Sequence, residues 1–124
     1  MSQTRYSRVY IVNKAGHDFS SAEKYGELVP VTTGNMNVFR PDRPLFQIQE
    51  VLEEFDPATD YLLLTGNVFA NVLAVTSILA ARFSKSLAEL RFLVYDAKNQ
   101  RYLHHTLCQN NKGELFFKRS KERP

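Results

Sequence analysis

The sequence contains a single cysteine, Cys108, among its 124 residues. One thiol cannot form a disulfide within its own chain, which indicates a reducing compartment. No apolar run approaches the roughly 18 residues that a membrane span requires. The polar start of the chain also lacks the apolar segment of a signal peptide. We therefore expect a protein that is neither secreted nor inserted in a membrane.

Motifs for common nucleotide and catalytic sites are also absent. The sequence contains neither the Gly-x-Gly-x-x-Gly pattern of dinucleotide-binding proteins nor the Gly-Lys-Ser/Thr end of a phosphate loop. Its serines lack a nucleophile-elbow context, and Cys108 has no activating base nearby in the sequence. His104 and His105 are neighbours in a predicted strand, so they point to opposite faces and are poorly placed to share a metal ion. These absences favour a binding protein over an enzyme, and they predict no cofactor and no metal.

The overall composition is typical of one soluble globular domain, with 44% hydrophobic and 23% charged residues. A chain of this length buries enough surface to fold around a single core. The net charge of +3 is unevenly distributed along the chain. Residues 1–107 contain 11 basic and 11 acidic side chains, whereas residues 108–124 contain five basic and two acidic ones. The whole net charge therefore belongs to the C-terminal segment.

Runs of apolar and β-branched residues predict the strands. Those at residues 8–13 and 60–66 have the pattern of buried strands, and residues 28–32 predict the second strand along the chain. Pro30 has no N–H to donate, so the second strand is expected to lie at a sheet edge or to be irregular. Two further runs, at residues 90–95 and 101–107, flank a short polar turn and predict a β-hairpin. A turn over residues 109–113 then precedes a partly apolar run at 114–118, which predicts a last short strand.

Helical patterns lie between these strands. Apolar residues spaced three and four apart predict an amphipathic helix that starts at Pro44 and ends near Phe55. Residues 68–83 contain no proline or glycine and predict a second, more apolar helix. A short helical turn is predicted before Gly26, with Ser20 or Ser21 as its cap.

This order of elements predicts an α/β fold, a small single-domain sandwich with a mainly parallel central sheet, flanking helices and a C-terminal β-hairpin. Right-handed crossovers make the first and third strands parallel neighbours at its centre. The α/β domain is predicted over residues 1–107, with a basic C-terminal tail over residues 108–124.

Polar residues follow the carboxyl ends of the predicted strands, where ligands of open α/β sheets usually bind. A strand, a glycine turn and a helix N-terminus at Thr65-Gly66-Asn67 present free N–H groups and a positive dipole end. Lys14 and His17 add charge from the neighbouring loop. These five residues form a candidate ligand site for a small molecule or nucleotide. The alternative is that Gly66 and Asn67 serve only as a tight turn and a helix cap.

The C-terminal segment combines aromatic and basic residues. Bases could stack on the aromatic rings while the basic groups contact phosphates, which makes the segment a candidate nucleic-acid contact. It is equally suited to an acidic protein surface, or it serves only as a solubilising end. The candidate residues are Phe116, Phe117, Lys118, Arg119, Lys121 and Arg123.

Several short segments together resemble a widespread family of small proteins encoded by tailed bacteriophages. The segments, in order, are VYIVN at 9–13, YGELV at 25–29, DYLLLTGN at 60–67, RFLVYD at 91–96 and RY at 101–102. Relatives tend to carry a Trp-Asp pair where this chain has Val94-Tyr95-Asp96, and Asp-Pro where it has Asn67-Val68. The resemblance covers about residues 8–103 and leaves the predicted strand, turn and helix intact.

The resemblance implies a phage protein that acts in the cytoplasm of the infected bacterial host. It favours a non-enzymatic binding protein whose partner is a host protein or a nucleic acid. A small-ligand or nucleotide-binding protein and a minor virion component are the alternatives. A homodimer is permitted by the broad apolar circumference of the predicted helix 68–83 and by the hairpin edge.

Overall fold

A computed structural model describes residues 6–82 and 89–118 of the chain. In these ranges the chain forms one mixed β-sheet, two α-helices and one 3₁₀ helix. The elements, in chain order, are β1 (Arg8–Lys14), the 3₁₀ helix (Ser20–Tyr25), β2 (Glu27–Thr33), α1 (Asp42–Leu52), β3 (Tyr61–Leu63), α2 (Val68–Arg82), β4 (Glu89–Asp96), β5 (Arg101–Gln109) and β6 (Leu115–Phe117).

The six described strands are ordered β2-β1-β3-β4-β5-β6. Pairings between β2, β1, β3 and β4 are parallel, whereas β4–β5 and β5–β6 are antiparallel. The sheet is therefore mixed. Its parallel part, β2-β1-β3-β4, is extended by the antiparallel strands β5 and β6. The predictions that β1 and β3 are parallel neighbours and that β2, with Pro30, lies at an edge are confirmed.

Both faces of the central strands are buried, but by different structures. On the helical face, α1 and α2 pack on residues such as Tyr10, Val12 and Leu62. On the opposite face, the segment around the 3₁₀ helix packs Phe19 and Ala22 onto the sheet. The unbroken apolar run of β1 follows from this double burial, because its alternate side chains enter two different cores.

Three elements begin, end or are capped differently from the predictions. The 3₁₀ helix is not capped by Ser20 or Ser21; instead, the Ser20 N–H donates to Oδ1 of Asp18 at 2.9 Å. Helix α1 begins two residues before Pro44 and ends at Leu52, and Phe55 packs in the core after the helix has ended. Strand β3 pairs with β1 over only three residues, and the Leu64 N–H still donates to the Leu93 carbonyl oxygen of β4 at 3.0 Å before the chain turns toward α2.

The sheet continues past residue 107. Cys108 and Gln109 belong to β5, and a turn returns the chain as β6, in which Phe116 pairs with Cys108. The prediction of a final short strand in this region is thereby confirmed. Within the described ranges, no helix has the length and apolar character needed to cross a membrane.

Candidate ligand-binding cleft

A cleft of about 780 Å³ opens where β1 and β3 end at their carboxyl termini, beside the start of α2. Its position is the one that ligands favour in open α/β sheets, since neighbouring strands leave a crevice there. Thirteen residues line it: Asn13, Ala15, His17, Phe19, Leu63, Leu64, Thr65, Gly66, Asn67, Asn71, Val94, Tyr95 and Tyr102.

One wall of the cleft is the turn between β3 and α2, which side-chain hydrogen bonds hold in place. Asn71 accepts the N–H of Thr65 at 3.1 Å through Oδ1 and donates to the Thr65 carbonyl oxygen at 2.7 Å through Nδ2. The Asn67 side chain accepts the N–H of Ala70 at 3.0 Å and so caps α2. The side chains of Asn67 and Asn71 therefore fix the shape of this wall.

The opposite wall is aromatic. The ring of His17 packs edge-on against Phe19 and Tyr95, at centroid distances of 5.1 and 5.4 Å. Tyr95 in turn contacts Tyr102 at 5.1 Å. Rings in such tilted contacts stabilise one another and leave flat apolar surface for a ligand.

Two buried polar atoms at this cleft have no hydrogen-bond partner among the described residues. Asn13 is 6% exposed, and its Nδ2 donates to the Gly34 carbonyl oxygen at 3.0 Å while its Oδ1 is unsatisfied. Tyr102 is 3% exposed, and its hydroxyl is likewise unsatisfied. Burial raises the pKa of Tyr102, with further contributions from Tyr95 and Asp18. Buried polar groups in folded proteins are nearly always hydrogen-bonded to protein groups or ordered water, so these two atoms mark a place where a water molecule or a ligand group would complete the hydrogen bonding.

The candidate residues at the strand ends are only partly brought together. His17, Thr65, Gly66 and Asn67 line the cleft, whereas Lys14 is exposed at the end of β1 and is not among the lining residues. A side chain added at Gly66 would meet no atom within 4 Å, so packing does not require glycine there.

Sequence reasoning missed the two unsatisfied residues. Asn13 had a usable signal, since it is a polar residue at the end of an otherwise apolar strand. Tyr102 had none, because only the pairing of Tyr95 with Tyr102 across β4 and β5 brings its ring to the cleft.

The C-terminal candidates lie elsewhere. Phe116 and Phe117 are exposed on β6, and the Nζ of Lys118 forms an ion pair with Oε2 of Glu89 at 3.3 Å. The remaining candidates, Arg119, Lys121 and Arg123, lie outside the described residues.

The adjacent histidines lie on opposite faces of the sheet, as predicted. His104 packs against Tyr61 and Tyr25, whereas His105 packs against Phe92 and Phe117. Over residues 6–82 and 89–118, no three histidine, cysteine or acidic side chains are grouped closely enough to hold a metal ion.

Comparison with known proteins identifies a family. The model of the family described as Phage Pam3 gp32-like protein matches residues 7–108, which include every residue that lines the cleft. This match confirms the predicted resemblance to a family of phage proteins. No curated protein and no solved structure matches the chain.

Proposed function

The chain belongs to the Phage Pam3 gp32-like protein family, and we propose that this phage-encoded protein binds a small planar molecule in the cleft between β1, β3 and α2. The observation that carries the proposal is the pair of unsatisfied polar atoms, Asn13 Oδ1 and the Tyr102 hydroxyl. Both atoms are buried, so a ligand reaches them only when the side chains that cover them move aside. A ligand that then hydrogen-bonds both atoms removes the cost of leaving them unsatisfied, which is about 1–3 kcal/mol for each.

The chemistry of the two atoms restricts the ligand. Asn13 Oδ1 only accepts, so the ligand must present an N–H or O–H group to it. The Tyr102 hydroxyl can donate or accept. The aromatic wall of His17, Phe19 and Tyr95 suits a flat ring. Heterocyclic amides of the nucleobase type combine these properties.

The turn before α2 suits an electronegative group of the same ligand. The N-terminus of a helix carries partial positive charge, and α2 begins at Val68, next to the cleft residues Gly66 and Asn67. A nucleoside or nucleotide could therefore place its base toward Asn13 and its sugar or phosphate toward Gly66.

The test combines a ligand screen with the Tyr102→Phe variant. Thermal-shift measurements with nucleobases, nucleosides, nucleotides and cyclic nucleotides should show that at least one raises the melting temperature. Ligand at a hundred times its dissociation constant adds about 2.7 kcal/mol to the free energy of unfolding. Absence of stabilisation by every compound at millimolar concentration would contradict the proposal.

Tyr102→Phe should then change stability and affinity in opposite directions. Without ligand, the variant should be more stable by about 1 kcal/mol, because it removes an unsatisfied buried hydroxyl. The affinity for the identified ligand should fall roughly tenfold, the equivalent of one hydrogen bond of about 1.4 kcal/mol. Tyr25→Phe is the matched control, because Tyr25 lies outside the cleft and its hydroxyl donates to the Tyr102 carbonyl oxygen at 3.5 Å.

Binding of a host protein or nucleic acid through the C-terminal segment stays a prediction, as does a place in the virion. Action in the cytoplasm of the infected host stays a prediction as well. The cleft takes precedence because its unsatisfied atoms point to a ligand.

A further inference from the structure

The outer edge of β6 is an open strand edge with exposed apolar side chains. Leu115, Phe116 and Phe117 are 56%, 49% and 62% exposed, and β6 ends the described sheet. Such an edge is a template for pairing with another strand. The other edge strand, β2, contains Pro30, which has no N–H to offer a further strand. Of the two edges of the described sheet, the β6 edge is the one without a proline.

Hydrogen bonds to β5 show which backbone groups of β6 face outward. The Glu114 carbonyl oxygen accepts from the Asn110 N–H, and the Lys118 N–H donates to the Thr106 carbonyl oxygen, both at 2.9 Å. Backbone groups alternate in direction along an antiparallel strand. The backbone N–H and C=O groups of Phe116 therefore face β5. Those of Leu115 and Phe117 face the open edge.

We infer that β6 pairs antiparallel with β6 of a second copy of this chain, about a twofold axis at Phe116. In this register Leu115 lies opposite Phe117 of the second copy. The two residues exchange both of their outward hydrogen bonds, and the symmetry repeats the exchange. All outward-facing backbone groups of β6 are thereby paired. The inference does not depend on the ligand cleft.

Charge complementarity selects this register. Glu114 lies opposite Lys118 of the second copy, and the twofold axis produces this pair twice. Moving the register by two positions in one direction brings Lys118 to Lys112 of the second copy, which is repulsive. Moving it in the other direction places Lys118 opposite Phe116 and leaves Glu114 without an opposing lysine. Opposite charges across a strand pair are favourable, and like charges are unfavourable.

Contacts within one copy are compatible with this pairing. Lys118 forms its ion pair with Glu89, and the strand alternation puts Glu114 and Lys118 on the same face of the sheet. Lys118 would then lie between two carboxylates. On the helical face, Phe117 contacts Phe92 and His105 at centroid distances of 6.1 and 6.0 Å. Leu115 of the second copy would extend this apolar surface.

The test is a charge exchange measured by sedimentation velocity on the full chain over a concentration series. The unmodified chain should form a dimer at rising concentration. Glu114→Lys and Lys118→Glu each place like charges opposite one another, so each should raise the dimer dissociation constant roughly tenfold. An equimolar mixture of the two variants should dimerise again, because each introduced charge then meets an opposite charge. Lys112→Glu, which changes the net charge as Lys118→Glu does but lies outside the strand pairing, is the control and should dimerise normally.

Hydrogen exchange supplies a second measurement that does not depend on charge. The amides of Leu115 and Phe117 should become protected as concentration rises, while the Lys118 amide, which is bonded to β5, should be protected throughout. A chain that stays monomeric at all concentrations would overturn the inference. So would a dimer that both variants leave intact, or a mixture that does not regain it.

Discussion

Asp60 shows how one buried carboxylate organises the start of the central sheet. It is 0% exposed, and its two oxygens accept the N–H of Arg8 at 3.0 Å and the N–H of Asp56 at 2.8 Å. The Thr59 hydroxyl donates to Oδ1 at 3.1 Å. The carboxylate thus joins the start of β1 to the segment that leads into β3, at a point where the strands themselves do not pair. This position requires a side chain whose two terminal atoms both accept hydrogen bonds, since all three neighbouring groups are donors.

Asp60→Asn should therefore destabilise the protein although it preserves size and shape. The amide nitrogen cannot accept, so one buried N–H loses its acceptor and faces another donor. We expect a loss of about 2–3 kcal/mol in the free energy of unfolding, measured by urea denaturation. Asp56→Asn is the control, because its Oδ1 accepts the exposed N–H of Ala58 at 2.9 Å. An Asp60→Asn variant as stable as that control would contradict the assignment.

Individual residues were predictable where burial follows directly from the local pattern. The unbroken apolar run of β1 predicted a buried strand, and the structure places Val9 and Ile11 in one core and Tyr10 and Val12 in the other. The unsatisfied state of Tyr102 was not predictable, because a hydroxyl finds or lacks a partner only when distant segments meet. The same reason explains why Lys14, adjacent to a true cleft residue, is not part of the lining.

Gly26 connects the 3₁₀ helix to β2. Its φ is +155°, and a Cβ placed there would lie 2.4 Å from the Ser7 carbonyl oxygen. That same oxygen accepts the N–H of Glu27 at 3.0 Å, just before β1 and β2 begin to pair. Glycine is required here because two backbones approach too closely for any side chain.

Gly26→Ala should force β2 away from β1 at the start of their ladder. The clash is with backbone atoms, which cannot move aside as a side-chain end does. A loss of about 3 kcal/mol in unfolding free energy is expected, at the upper end of the cost of overpacking. Gly16→Ala is the matched control, since a Cβ at Gly16 meets nothing within 4 Å. Equal melting temperatures for the two variants would show that the chain relaxes at Ser7 without cost.

The kinds and order of the elements could be predicted from sequence, but how far the sheet extends at its C-terminal edge could not. Apolar runs and helical spacing indicated β1 to β5 and both α-helices. The turn residues around Gly113, whose φ is +81°, indicated that the chain reverses before a last strand. Whether β6 continues the sheet depends on its pairing with β5, which hydrophobic pattern alone does not specify because β6 is exposed on both faces.

The two proposed binding surfaces, the cleft and the β6 edge, lie in different parts of the molecule. The cleft lies at the ends of β1 and β3, whereas the β6 edge is three strands away from β3 in the sheet. The family model spans the cleft but ends at residue 108, before β6 begins. Ligand binding is accordingly proposed on the part of the chain that matches the family, and dimerisation on a part that lies beyond the match.

Shortened chains can test at which residue the folded domain ends. The charge pattern of the sequence predicted a boundary at residue 107, but β5 and β6 continue the sheet to Phe117. A chain shortened after Lys118 keeps β6, its pairing with β5 and the ion pair of Lys118 with Glu89, so it should keep the melting temperature of the full chain. A chain shortened after Leu107 loses β6 with its hydrogen bonds to β5, and it also loses the contact of Phe117 with Phe92.

Thermal unfolding at low concentration, where dimerisation does not contribute, measures the difference. We expect the shorter chain to lose roughly 2 kcal/mol, which for a domain of this size lowers the melting temperature by about 5–10 °C. The loss should be confined to stability, because the cleft residues all precede the cut. If both shortened chains melt together with the full chain, β6 adds nothing to the fold. Its place at the sheet edge would then have to be explained by pairing between copies alone.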